Sequence, residues 1–460
     1  MVTPPTKSDS GARGRDASLV VERVRIKPEP LGLAARLCAA GLEHVALLHA
    51  AAPGEIGWGR ASWLTAAPDA ESTRLDPLED DGAPRPMGPL AATPRWLGAI
   101  PYEARRDDLE REAWRPEERR PTPPCARPIW RRYPAMIHVE AGRDEVRVIG
   151  RERAVGRLVR ALATPASLPS PVVPRVRDAE AVTEHRDRIV RARELILDGH
   201  LYQVNLARRL DLELDGDPWQ LYAALVARAP AGFAGVLPLE DGFTALSTSP
   251  ELLLEATPDP EELDSARWPR WSRLVTEPIK GTRPRGATPE QDEALAAELD
   301  GDPKERAELA MIVDVERNDL SRVCDFGTVR VSQPPAVRRL ATVHHRVARV
   351  VGAPRRDATR REILEAMLPS GSVTGAPKQR AMEVIAELES ARRGLYTGGF
   401  GYVAHDGGLC LAMAIRTAVV RDGAGSYWTG GGIVVGSDPD REVEETRWKA
   451  AQLGPPPQCP

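Results

Sequence analysis

The alternation of apolar and polar positions divides the chain into two stretches of different character. From about residue 19 to 165, short strand-like runs such as "HVALLHA" and "DEVRVIGR" alternate with Pro- and Arg-rich loops. The charged stretch "RRDDLEREAWRPEERRPTPPCARP" predicts a surface helix followed by a loop. Residues 166–178, rich in proline, read as a linker, and residues 1–18 and 454–460 as tails. From 179 to 453 the periodic signals are dense. "VTEHRDRIVRARELILDG" places Val182, Ile189, Ala192 and Ile196 on one helical stripe, and Gly199 supplies a stop. "YQVNLARRLDLEL" alternates as a long strand, with Val204, Leu206, Leu210, Leu212 and Leu214 on one face and Gln203 and Asn205 on the other. "FTALSTSPELLLEA" predicts a second strand broken at Pro250, followed by a polar hairpin extension before Lys280. "YTGGFGYVAHDGGLCLAMAIRTAVV" predicts a hairpin that turns at Asp406-Gly407-Gly408 and leaves Arg416 alone in an apolar strand.

Composition narrows the classes. The chain has 460 residues, 42% of them hydrophobic, enough for a large core. A formal net charge of −4 leaves no basic footprint for nucleic acid. Five dispersed cysteines without a Cys-x-x-Cys spacing read as reduced thiols, hence a cytoplasmic location. No run of eighteen apolar residues is present, so no membrane-spanning helix is expected.

Three features carry candidate chemistry. In "DGDPKERAELAMIVDVERNDL", Asp302 caps a helix with Pro303 at its first position, and Glu305 at the third helical position has the spacing of a capping box. Glu305 and Glu308 share one face of that helix, and in "GSDPDREVEETRWKA" Glu442, Glu445 and Lys449 do the same behind Asp438 and Pro439. Paired carboxylates on two helices suit Mg²⁺, although each pair alone also fits a solvated acidic face. Glycine-rich "LPSGSVTGAPKQRAMEVI", with Thr374, precedes a helix starting near Pro377, and Gly430, Gly431 and Gly432 lie between two strand-like pieces. Both offer backbone N–H groups to an anion. Finally, Lys280 in "EPIKGTRPRG" follows an apolar residue into a tight turn, a setting for a buried lysine.

In this order, "YQVNLARR", "STSPELLL", "PIKGTRPRG", "ERAELAMIVDVERNDLSRVC", "LPSGSVTGAPKQRAMEVI", "GGFGYV", "AIRTAVV" and "GGGIVVGSDPDREVEETRWKA" resemble the chorismate-utilising enzymes across about residues 180–452. The resemblance implies an α/β (α+β) fold, a two-subdomain sandwich of mainly antiparallel sheets with outer helices. It further implies Mg²⁺ on Glu308 and Glu445 with Glu305 and Glu442 in support, and chorismate held by Tyr396, Arg416, the backbone at Gly431 and Gly432, Lys449, Thr374 and Gln203. Glu251 of "SPE" resembles the family's general acid, and His345 its histidine near the reacting ring. Gln203 stands where the water-activating branches carry a lysine, which argues against water as nucleophile. "PIKGT" is the form typical of the aminodeoxychorismate synthase branch, where Lys280 would attack chorismate in its neutral form, aided by burial and Mg²⁺; other branches usually read "PIAGT". Anthranilate formation, or chorismate binding without turnover, remain the alternatives. The sequence holds no glutaminase-like Gly-x-Cys-x-Gly elbow, so ammonia is expected from a separate glutaminase subunit. His49 and Ala50 replace the family's usual "LLDS"-type residues, which argues against a tryptophan pocket.

Overall fold

A computed structural model describes residues 19–454, apart from 53, 55–56, 82–87, 89, 106–119, 121, 264–267 and 341–342. The surface helix read from the 105–128 stretch and both tails lie wholly or largely outside the described residues.

Two antiparallel sheets dominate. The larger, of twelve strands, is ordered Val20–Val24, Val146–Gly150, Ala135–Glu140, Ala61–Thr65, Ala46–His49, Phe233–Pro238, Thr244–Ser249, Thr417–Arg421, Ala424–Ile433, Gln203–Glu213 and Gly375–Ala376. Its twelfth strand, Arg175–Asp178, pairs with Gln203–Glu213. The segment read as a linker therefore ends in a strand, and strands from both sides of it share one sheet. The second sheet has ten strands, centred on Leu252–Pro258, Leu409–Met413 and Gly399–Ala404 and ending on Ile279–Pro284 at one edge.

The sheets pack face to face. Leu48, Phe233, Ala245 and Val419 of the larger sheet form one apolar cluster with Leu97, Leu252, Val351, Phe400 and Ala412 of the smaller. Helices cover the outer faces. The helix Val182–Leu197 buries Ile189, Ala192 and Leu195 together with His185, while Val182 and Ile196 sit at the margin of that cluster. The helix Pro303–Ser321 presses Leu309, Val313 and Leu320 onto the back of the smaller sheet. Each fully buried leucine of this kind contributes roughly 1.5–3 kcal/mol. With both faces covered, the strand Gln203–Glu213 is buried on both sides along most of its length, and the polar Gln203 and Asn205 are as enclosed as Leu206.

The chain switches between sheets twice at one place. Thr244–Ser249 belongs to the larger sheet and Leu252–Pro258 to the smaller, so the break at Pro250 is a crossing. Leu409–Met413 and Thr417–Arg421 cross back in the opposite sense. The two crossings are tied together: Met413 N–H donates to Glu251 O at 3.0 Å, and Thr248 N–H to Arg416 O at 3.1 Å. Arg416 thus lies in a crossing with φ of 50°, not within the apolar strand expected for it. The hairpin extension after Glu251 is present, with Pro258 opposite Trp271.

Candidate active site

The crossings, the two acidic helices and the edge strand Ile279–Pro284 enclose one polar cluster. Both helices start as their caps dictate. Asp302 accepts from the N–H groups of Lys304 and Glu305, and Asp438 from those of Asp440 and Arg441. The Glu305 side chain does not close a capping box; its carboxylate lies beside Gly281, where an added Cβ would come within 3.1 Å of Oε2.

Gly431 and Gly432 lie inside one continuous strand, Ala424–Ile433, rather than between two. Their lack of side chains lets the helices approach. A Cβ on Gly432 would meet Gln203 Nε2 at 2.5 Å and Glu308 Oε1 at 2.7 Å. One on Gly431 would lie 3.2 Å from Glu442 Oε2 and 3.5 Å from Glu445 Oε1. Carboxylates from both helices therefore face the same short stretch of strand. Among the described residues that stretch pairs with Gln203–Glu213 on one side only, since Thr417–Arg421 pairs no further than Tyr427.

Each of three carboxylates carries an ammonium group. Lys280 Nζ is 3.0 Å from Glu308, Lys304 3.5 Å from Glu442, and Lys449 2.6 Å from Glu445. Lys449 also donates to Gly430 O at 2.7 Å, and Ser437 Oγ to Glu442 at 2.7 Å. Burial and the neighbouring acids push the Glu305 carboxyl up; burial and Glu445 do the same to Glu442 although Ser437 opposes them. Burial would raise Glu445 too, but Lys449 outweighs it and holds it down. Among the described residues no group of three or more His, Cys, Asp or Glu side chains is placed to hold a metal ion. Carboxylates from two helices that face one stretch of strand would suit Mg²⁺, which takes few carboxylates and fills its octahedron with water and substrate oxygens. Glu308 and Glu445, with Glu305 and Glu442 behind them, would hold it.

Lys280 enters the cluster through a β-bulge. Pairing with Val343–Gly352 skips a residue between Lys280 and Thr282, and Gly281 takes φ of 76°, a region closed to most side chains. The amine also donates to Ser372 O at 3.3 Å. Burial alone would lower its pKa, but the Glu308 carboxylate, with Glu251 and Glu445 farther off, holds it above the ordinary lysine value.

Glu251 sits in the first crossing, 5% exposed, and accepts from Ser372 Oγ at 2.8 Å. Burial raises its carboxyl to about 7. His345 is buried; its Nδ1 lies 3.0 Å from Thr282 Oγ1, its Nε2 has no partner, and burial lowers it to about 3, so the imidazole is neutral. The adjacent His344 instead bonds Asp292 at 2.9 Å. Burial lowers the Arg416 guanidinium, which makes no ion pair among the described residues, leaving a cation for an anionic ligand. Tyr396 is buried, stacked on Trp428 at 5.7 Å, and faces a cavity of about 170 Å³ that Arg209 and Thr417 also line. Thr374 is buried and spends its hydroxyl on Ser370 O at 2.8 Å. Gln203 donates to Glu308 at 3.5 Å. Sequence reasoning did not anticipate Lys304, Ser370 and Glu316; Ser372 lies in the glycine-rich "LPSGSV" segment read as an anion site.

Similar proteins place this site in context. "Anthranilate synthase component 1" of Thermus thermophilus is 43% identical over 267 residues, 58% of this chain and 55% of that protein. "Aminodeoxychorismate synthase" of Streptomyces pristinaespiralis is 42% identical over 270 residues, 59% of this chain and 36% of that protein. The matches thus span about half, or less, of these curated relatives. Anthranilate synthase component I of Streptococcus pneumoniae superposes with a TM-score of 0.72 at 26% identity, over 87% of this chain and 93% of that one. The menaquinone-specific isochorismate synthase of Escherichia coli shares the fold, with a TM-score of 0.70 at 19% identity over 96% of each chain. A family model described as chorismate binding enzyme matches residues 43–454, and the chain belongs to that family.

Proposed function

We propose that this protein is a chorismate-aminating enzyme, an aminodeoxychorismate synthase component I that converts chorismate and ammonia to 4-amino-4-deoxychorismate. The observation that carries this reading is the placement of Lys280. A bulge turns its amine inward, where it reaches Ser372 and Glu308 on the same side as Glu251. A nucleophile and an acid on one wall are what displacement of a ring hydroxyl requires. In this reading the Lys280 amine attacks C2, Glu251 protonates the departing C4 hydroxyl, and ammonia adds at C4 as the lysine is released. When bound, Mg²⁺ would hold the ring carboxylate and engage the glutamates that otherwise keep Lys280 protonated. Arg416, which makes no ion pair among the described residues, takes the enolpyruvyl carboxylate. A separate glutaminase subunit supplies the ammonia, and the product serves 4-aminobenzoate synthesis.

A second reading, anthranilate synthase component I, is favoured by the names of several similar proteins, among them those of Thermus thermophilus, Arthrobacter globiformis and Aquifex aeolicus. Incubation with chorismate, Mg²⁺ and ammonium separates the two. The present reading expects 4-amino-4-deoxychorismate as the main product; fluorescent anthranilate as the main product would replace it with the second.

A further inference from the structure

Beyond Glu251, across Ser372 and Ser370, lies a second buried acid. Glu316, in the helix Pro303–Ser321, is 0% exposed. It accepts from Ser370 Oγ at 2.5 Å, Ser370 Oγ lies 3.0 Å from Ser372 Oγ, and Ser372 Oγ lies 2.8 Å from a Glu251 oxygen. The two carboxyls are thus joined by two hydroxyls and three consecutive oxygen–oxygen contacts. Three hydrogen bonds in series need three protons. The serines supply two, so the third belongs to one of the acids. All three bonds then run in one direction, away from whichever acid carries it.

The surroundings of the two ends differ. Glu316 accepts two further donors, Gly371 N–H at 3.1 Å and Thr276 Oγ1 at 3.3 Å. Glu251 has the Ile279 N–H besides Ser372. The charged groups facing Glu251 are Lys280, Arg416 and Glu316. Those facing Glu316 are Glu251, Asp319 and Lys378, the last two paired at 2.5 Å. Hydrogen-bond donors favour the ionised form of the acid they reach, and Glu316 has more of them.

We propose that Glu316 is a positioning residue that, through Ser370 and Ser372, keeps the shared proton on Glu251 and aims the Glu251 carboxyl at the bound substrate. The proposal rests on the reading of Glu251 as general acid. Burial raises both carboxyls to about 7. Protons balance over the cycle. Glu251 gives its proton to the departing hydroxyl, which leaves as water; ammonia loses one proton as it becomes the C4 amine, and that proton restores Glu251. Glu316 neither gains nor loses one.

The test is an infrared pH titration of the protonated carboxylic acid band in the ligand-free protein, with the pH profile of kcat alongside. The band should be present in wild type and absent in Glu251→Gln. In Glu316→Gln the band and the basic limb of kcat should both move to lower pH, by about one unit, because the anion that holds the proton is gone. Ser370→Ala breaks the chain without removing a buried charge, so it tests the idea even if Glu316→Gln fails to fold; it should shift both readouts in the same direction. Ser372→Ala, which interrupts the same chain at its other hydroxyl, should shift them in the same direction as Ser370→Ala. A band that survives Glu251→Gln but disappears in Glu316→Gln, or titrations unchanged in Ser370→Ala, would overturn the proposal. Full turnover by Glu251→Gln would instead remove the general-acid reading, whatever the infrared titration gives.

Discussion

Lys280 Nζ lies 3.0 Å from the Glu308 carboxylate, joining the residue proposed as nucleophile to a residue proposed as metal ligand. The contact explains why a lysine in so buried a place stays charged: the acid more than offsets the desolvation of the ammonium. It also couples two roles. A cation held by Glu308 would take from Lys280 the partner that keeps its amine protonated.

The proposed metal site predicts a shared dependence. Glu308→Ala and Glu445→Ala should each reduce turnover by about two orders of magnitude or more, since even outer-shell partners of a metal are worth 10–100-fold. Calorimetric titration with Mg²⁺ in the presence of chorismate should show the loss of affinity directly. Near-wild-type turnover in either variant at modest Mg²⁺ would place the site elsewhere.

Gly432 supplies a steric test of the same site. In Gly432→Ala the new Cβ would fall 2.5 Å from Gln203 Nε2 and 2.7 Å from Glu308 Oε1, so both side chains must move. Mg²⁺-dependent activity should drop by about tenfold or more, as expected when a ligand is displaced. Both clashing atoms end flexible side chains, so the thermal midpoint should change little. Unaltered kinetics would show that Glu308 need not occupy its present position.

The acid Glu251 sets a pH dependence. Its carboxyl is raised to about 7, so the protonated form prevails below that value and is lost above it. kcat should therefore fall as pH rises through about 7, and Glu251→Gln should abolish turnover while chorismate still binds. A kcat that stays flat from pH 6 to 9, a range of about three units around the raised value, would argue against an acid at this position.

Much of this arrangement is legible in the sequence, because it rests on local rules. The Asp-Pro starts at 302–303 and 438–439 fix two helices, and the spacing of their glutamates fixes which acids share a face. The hairpin 399–413 follows from its Asp-Gly-Gly turn. What the local pattern does not contain is pairing at long range. The break at Pro250 is visible, but not that Ser249 and Leu252 end in different sheets. The same crossing places Arg416 outside a regular strand, against its apolar neighbours in sequence. The pairs Lys304–Glu442 and Glu316–Ser370 join residues 138 and 54 positions apart, and neither partner has any periodic relation to the other.

One buried ion pair braces the scaffold. Arg393 contacts Glu389 at 2.6 Å and donates to Val373 O and Asn205 O at 2.9 and 2.8 Å, tying the glycine-rich loop to the strand that carries Gln203. Glu389→Ala strands the guanidinium in the interior and should cost about 3–5 kcal/mol. Urea unfolding should report this as a lower midpoint with an unchanged slope. A loss under about 1 kcal/mol, typical of an exposed pair, would contradict the burial assigned to it.

The central claim is that Lys280 forms the covalent link to chorismate, and the most direct measurement is product formation by Lys280→Ala beside wild type, with chorismate, Mg²⁺ and ammonium in excess. The substitution leaves the acidic helices, Arg416 and Glu251 in place, so chorismate affinity should hold within a few-fold. Formation of 4-amino-4-deoxychorismate should fall by about three orders of magnitude or more, and Lys280→Arg should not restore it, because a guanidinium stays protonated. Wild-type rates of 4-amino-4-deoxychorismate formation in Lys280→Ala would contradict the account and leave Lys280 as a charge partner of Glu308.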